Sequence, residues 1–123
     1  VDANFVTLWG SSEETIKICL ALLNSTWSKC YLELLCTVMG GGALKIEASH
    51  VRQLLFPKLN RRQLQRLSKY GITIAKRQKI TPELRNAIDA TILESFTDEE
   101  SLLMQIRALL RKKLNERGAK YEL

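Results

Sequence analysis

Proline is scarce in this chain, with only Pro57 and Pro82, and neither stands beside another proline. Histidine is scarcer, with His50 alone, and the three cysteines, Cys19, Cys30 and Cys36, form no Cys-x-x-Cys pair and stand at no metal-ligand spacing from it. A zinc centre and a Cys-His nucleophile both need such partners, so neither is expected. No apolar run approaches the roughly 20 residues that span a bilayer. The chain opens Val-Asp-Ala-Asn, without Met, a basic leader or an apolar core, so it reads as a piece of a larger protein rather than as a signal peptide. An odd number of cysteines with no disulfide framework fits a reducing cytoplasm, with the thiols mostly buried as small apolar residues.

What is present describes an ordinary soluble domain. A length of 123 residues with 46% apolar and 26% charged residues supports one hydrophobic core. Apolar residues recur mainly at helical spacing, so the expected fold is mainly α with two short β-strands, a small domain of about five helices.

Residues 4–8 favour a strand through Phe5, Val6 and Thr7, ended by Gly10. Ser11 or Ser12 then caps a helix whose apolar face is Ile16, Cys19, Leu20 and Leu23. Asn24-Ser25-Thr26 stops that helix and caps the next, placed at Thr26–Met39, with Trp27, Tyr31, Leu34, Leu35 and Val38 on its stripe. A strand over 43–46 precedes a short helix from Glu47-Ala48-Ser49. There Val51, Leu54 and Leu55 face inward, Arg52 and Gln53 face out, and Pro57 ends the helix. His50 reads as a partly exposed helix residue. Residues 60–70 form a basic amphipathic helix with Gly71 as its C-terminal stop. Residues 71–80 fit either a strand or a linker. Thr81-Pro82-Glu83 places an N-cap, proline at the first helical position and an acid in the first turn. A last helix follows over 98–117, with Leu102, Leu103, Ile106, Leu109, Leu110 and Leu114 apolar and a basic C-terminal end. The final five residues are expected to fray.

Two features carry the functional reading. The first is Gly40-Gly41-Gly42, a triplet that loses much conformational entropy on folding. It is explained either by a left-handed helix stop at Gly40 with slack behind it, or by the close approach of a bulky partner, protein or nucleic acid. The second is charge. From Lys45 to Lys79 there are ten Lys or Arg against one acid, Glu47, a net +9 that exceeds the +6 of the whole chain. Clustered cations of this kind neutralise phosphates and release condensed counterions. The DNA-binding candidates are Gly41, Gly42, Lys45, Arg52, Gln53, Lys58, Arg61, Arg62, Arg66 and Lys69, with Lys76 and Arg77 beyond them. Lys45, Arg52 and Gln53 are the best placed to read bases.

The order of elements over residues 1–60 resembles the C-terminal part of the N6-adenine DNA methyltransferases of restriction-modification systems. The resemblance rests on Asn4-Phe5-Val6-Thr7-Leu8, the helix closing on Leu22-Leu23-Asn24-Ser25, the glycine triplet, Ala43-Leu44-Lys45-Ile46-Glu47 and the Phe56-Pro57 step. It implies one domain from the C-terminal end of a larger enzyme, with residues 1–59 family-like and 60–123 adding basic and amphipathic helices. It implies double-stranded DNA and a catalytic methyltransferase domain as partners, and S-adenosylmethionine as the cofactor of the parent enzyme. The Asn/Asp-Pro-Pro-Tyr/Phe motif that holds a flipped adenine and the glycine-rich loop that holds S-adenosylmethionine are both missing, so this chain binds no cofactor and methylates nothing by itself.

The alternative is a helical protein-interaction or dimerisation module, in which the 45–79 segment docks an acidic partner and the 98–117 helix offers a homo-oligomer seam. A stand-alone helix-turn-helix regulator fits less well, because ten residues, 71–80, separate the helices placed at 60–70 and 81–95.

Overall fold

The computed structural model describes residues 12–38 and 42–118. The expected strand at 4–8, the stop at Gly40 and the frayed C-terminus lie outside them. Within them the chain is mainly helical, as expected. Its elements are α1 (Glu13–Leu23), α2 (Thr26–Leu35), β1 (Thr37–Val38), β2 (Leu44–Lys45), α3 (Ala48–Arg52), α4 (Arg61–Arg77), α5 (Pro82–Leu93) and α6 (Glu99–Glu116).

Local chemistry explains most of the boundaries. Ser12 caps α1 by accepting from the Thr15 N–H at 3.2 Å. Ser25 caps α2 by accepting from the Ser28 N–H at 3.1 Å, and Asn24 ends α1, so the Asn-Ser pair has the structural role expected of it. Asn60 and Gln63 cap α4 reciprocally: Gln63 N–H donates to Asn60 Oδ1 at 2.9 Å, and Asn60 N–H donates to Gln63 Oε1 at 2.7 Å. Thr81 caps α5 with Pro82 at its first position.

Four expectations are corrected. Helix α2 stops at Leu35 instead of Met39, because Cys36 turns extended and Thr37 and Val38, both β-branched, pair antiparallel with Lys45 and Leu44. The short helix α3 ends at Arg52, well before Pro57, as the Gln53 and Leu54 N–H groups close onto His50 and Val51 in a tightened last turn. Leu55 consequently points to solvent, 69% exposed, rather than inward. Gly71 stops nothing: α4 runs through it to Arg77, and residues 71–77 are helix rather than strand or linker.

Gly71 is where α1 crosses α4. A Cβ built on it would lie 1.9 Å from the Lys17 carbonyl oxygen, so only glycine lets the two helices approach this closely. The actual stop of α4 is Gln78 in the left-handed region, with φ 52°.

The core follows from these contacts. Ala21 and Leu22 of α1, Leu67 and Ile74 of α4, and Ile88, Ile92 and Leu93 of α5 form one buried cluster. Cys30 of α2 with Leu110 and Leu114 of α6 form a second, and Ile106 touches both. Burying each large aliphatic side chain contributes about 1.5–3 kcal/mol, so these clusters dominate the stability of the bundle. The three cysteines are free thiols, with Cys30 buried and the others half-buried. Burial, aided by the Glu33 charge, pushes the Cys30 and Cys36 thiols up.

Two polar anchors tie distant segments together. Asp89 on α5 is 2% exposed and accepts from the Thr26 N–H at 2.8 Å, from the Thr26 hydroxyl, and from Arg107 of α6 at 3.5 Å. Arg107 also donates to Asn86 Oδ1 at 2.7 Å. At the C-terminal end of α6, Arg117 grips both carboxylate oxygens of Glu33 at 2.6–3.1 Å and donates to the Gly42 carbonyl at 3.0 Å.

Candidate nucleic-acid interface

The glycine expected to meet an outside partner meets its own chain. Gly42 has φ 84°, and a Cβ there would sit 2.5 Å from the Arg117 carbonyl oxygen. Glycine is therefore needed at position 42 for the turn and for the seat of Arg117, with no ligand invoked. Gly41 lies outside the described residues.

The basic candidates divide into occupied and free. Lys45 is exposed but pairs with Glu47 at 3.4 Å, across one residue of the strand end. Gln53 is exposed, yet its amide Nε2 donates to the Ser49 carbonyl at 3.1 Å. Arg66 forms an ion pair with Glu94 of α5. Arg52, Lys58, Arg61, Arg62, Lys69, Lys76 and Arg77 are exposed, with no side-chain partner among the described residues. His50 is half-buried and caps α3, its Nδ1 accepting from the Glu47 N–H at 3.0 Å, which is a structural duty.

Five of these seven free cations belong to α4, and the helix puts them opposite its core face. Gln63, Leu67, Gly71 and Ile74 are buried on one side. At seven-residue spacing, Arg62, Lys69 and Lys76 line up along the other, about 10.5 Å apart per step along the axis. Arg61 and Arg62 open a helix whose first turn holds no acid. That is the costly end for cations, since the helix dipole presents partial positive charge there. Lys58 sits just before this helix and Arg52 at the end of α3. There is no Asp or Glu anywhere between Glu47 and Glu83.

Trp27 belongs to the apolar stripe of α2, as its spacing predicts. It is half-buried against the main core cluster, and its indole Nε1 donates to the Leu55 carbonyl at 2.8 Å, fixing the loop between α3 and α4. That hydrogen bond fixes the backbone at the exposed Leu55, which lies between Arg52 and Lys58 in the chain, a relationship invisible in the linear spacing of residues 27 and 55.

The connection between α4 and α5 is four residues, 78–81, and not the ten that argued against a helix-turn-helix. The spacing objection therefore falls. A different one replaces it: α5, the second helix of the pair, carries no exposed Lys or Arg, and its Asn86 is held by Arg107. The exposed cations are on the first helix of the pair.

A separate surface lies between α2 and α6. Trp27, Cys30, Tyr31, Leu34, Ile106 and Leu109 line an almost wholly apolar open groove of about 270 Å³, and Leu34 is 56% exposed at its rim. Among the described residues no group of three or more His, Cys, Asp and Glu is arranged to hold a metal ion. No helix among them is long and apolar enough to cross a membrane. Comparison of the chain with protein-family models, with curated proteins and with solved structures gives no match.

Proposed function

We propose that this chain is a duplex-DNA-binding, target-recognition segment of an adenine-N6 DNA methyltransferase, working in the cytoplasm and holding the duplex while a catalytic domain outside this chain transfers the methyl group. S-adenosylmethionine would be bound by that other domain. The observation that carries the reading is the single-sided array of unpaired cations on α4, flanked by Lys58 and Arg52 and free of acids. A helix that serves only solubility gains by mixing signs and by placing acids in its first turn. Here the first turn holds two arginines, and a phosphate is the partner that turns their unfavourable position into a favourable one.

In this arrangement α4 tracks the sugar-phosphate backbone, with the anchored turn at Gly42 and the α3–α4 loop closing on the same duplex. Phosphate contacts position the protein without reading sequence.

Binding of the chain to a random duplex, followed by fluorescence anisotropy across a salt series, tests the reading. The expected outcome is a steep loss of affinity with salt, and a slope that falls by about three in the triple variant Arg62→Ala, Lys69→Ala, Lys76→Ala. Absence of binding at low salt, with the fold intact, refutes direct DNA contact.

The apolar groove between α2 and α6 supports a second reading, self-association through α6 without DNA contact. Sedimentation of the chain over a range of concentrations separates the two: a dimer broken by Leu34→Asp, in a protein indifferent to DNA, favours the second.

A further inference from the structure

Resting on the DNA-binding reading above, the structure assigns sequence readout to the middle of α4 rather than to the turn and short helix at residues 45–53. Of the three residues best placed by spacing, Lys45 pairs with Glu47 and the Gln53 amide donates to Ser49, which leaves Arg52 alone free at the end of a five-residue helix. Helix α3, with five residues, offers little rigid surface.

Helix α4 has 17 residues, about 25 Å of rigid rod, and its first turn is locked by the Asn60–Gln63 reciprocal cap. At about 100° per residue, Arg61, Gln65, Ile72 and Lys76 fall within about 60° of one another, with Lys69 and Arg62 about 20–40° further round. The solvent face is therefore not uniformly basic. Its centre holds a glutamine, exposed and without a side-chain partner among the described residues, and an isoleucine 40% exposed, bordered by cations. Neither Gln65 nor Ile72 carries a charge that could neutralise phosphate.

Both have a use in a major groove. The groove admits an α-helix; glutamine can give and take one hydrogen bond each with adenine N7 and N6, and an aliphatic side chain packs against the thymine methyl. We infer that α4 lies in the major groove, with Gln65 reading an adenine, Ile72 contacting a thymine methyl, and Arg61, Arg62, Lys69 and Lys76 holding the phosphates on either side. The occupant is duplex DNA, because the cations ring the apolar and amide groups on a face with no acid.

Selection of duplexes from a random pool by the intact chain, read out by sequencing, tests this. The expected result is enrichment of a short element containing an A·T pair. With Gln65→Ala, preference at that pair drops about tenfold while affinity for unselected duplex is retained. With Gln65→Arg, preference moves from adenine to guanine. Far-UV circular dichroism checks that these exposed-site variants fold. Binding without any sequence preference, or a preference unchanged in Gln65→Ala, overturns the assignment and leaves the DNA-binding reading standing. No binding to any duplex overturns both.

Discussion

The carboxylate of Asp89 receives both the backbone N–H and the hydroxyl of Thr26, a residue 63 positions earlier, and so stitches the start of α2 to the middle of α5. The same carboxylate faces Arg107, which makes one buried acid the meeting point of three helices. Replacing it by alanine leaves the buried Thr26 N–H without its acceptor and the Arg107 guanidinium without its anionic partner, only Asn86 remaining to it. Asp89→Ala is expected to cost about 3 kcal/mol in urea unfolding. Asp89→Asn keeps one acceptor oxygen and is expected to lose less.

The approach of α1 to α4 gives a second expectation. Gly71→Ala drives a methyl group into the Lys17 backbone, where neither the carbonyl nor its Cα can rotate aside. A loss on the order of 3 kcal/mol follows, even though alanine is the better helix former by about 1 kcal/mol. Thermal or chemical denaturation measures it, and a stabilised variant would show that the two helices are not in contact at this residue.

These two residues also mark what the sequence could and could not reveal. The helices, their caps at Ser25 and Thr81 and the apolar stripe of α6 were legible, because each depends on neighbours three or four positions apart. Gly71 was misread as a stop because a glycine that ends a helix and one that admits a crossing helix look alike locally, and the difference lies in Lys17, 54 residues away. Asp89 drew no attention for the same reason. Within the candidate interface, the net charge of residues 45–79 was legible, but which cations are free was not. Glu94 lies outside that window, and Arg66 finds it only through the packing of α5 on α4.

That pairing makes Glu94 a restraint on the interface. Glu94→Gln frees Arg66 and removes a negative charge beside the basic face. Duplex affinity at low salt is expected to rise about twofold, equivalent to ~0.5 kcal/mol for an exposed pair. Anisotropy titration measures this, and weaker binding would show that the pair positions Arg66 for contact.

Lys29 offers a test in pH. Burial, then the nearby Arg85 charge, lowers its ammonium pKa, with Asp89 acting in the opposite direction. The unfolded chain therefore holds this proton more tightly than the folded one. The penalty is complete below the folded pKa and is relieved as pH rises toward the ordinary lysine range. Lys29→Met is expected to stabilise the protein at about pH 7 and to gain less at about pH 10, as urea midpoints at the two values will show.

Glu33 and Arg117 lie 84 positions apart, and Arg117 also secures the Gly42 carbonyl. The turn that leads into β2 is thus completed by a residue 75 positions further along the chain. Closing so long a loop costs conformational entropy that the helices packed between its ends must first offset, so this clasp forms late in folding and the turn stays unsecured in any species whose α6 has not yet docked.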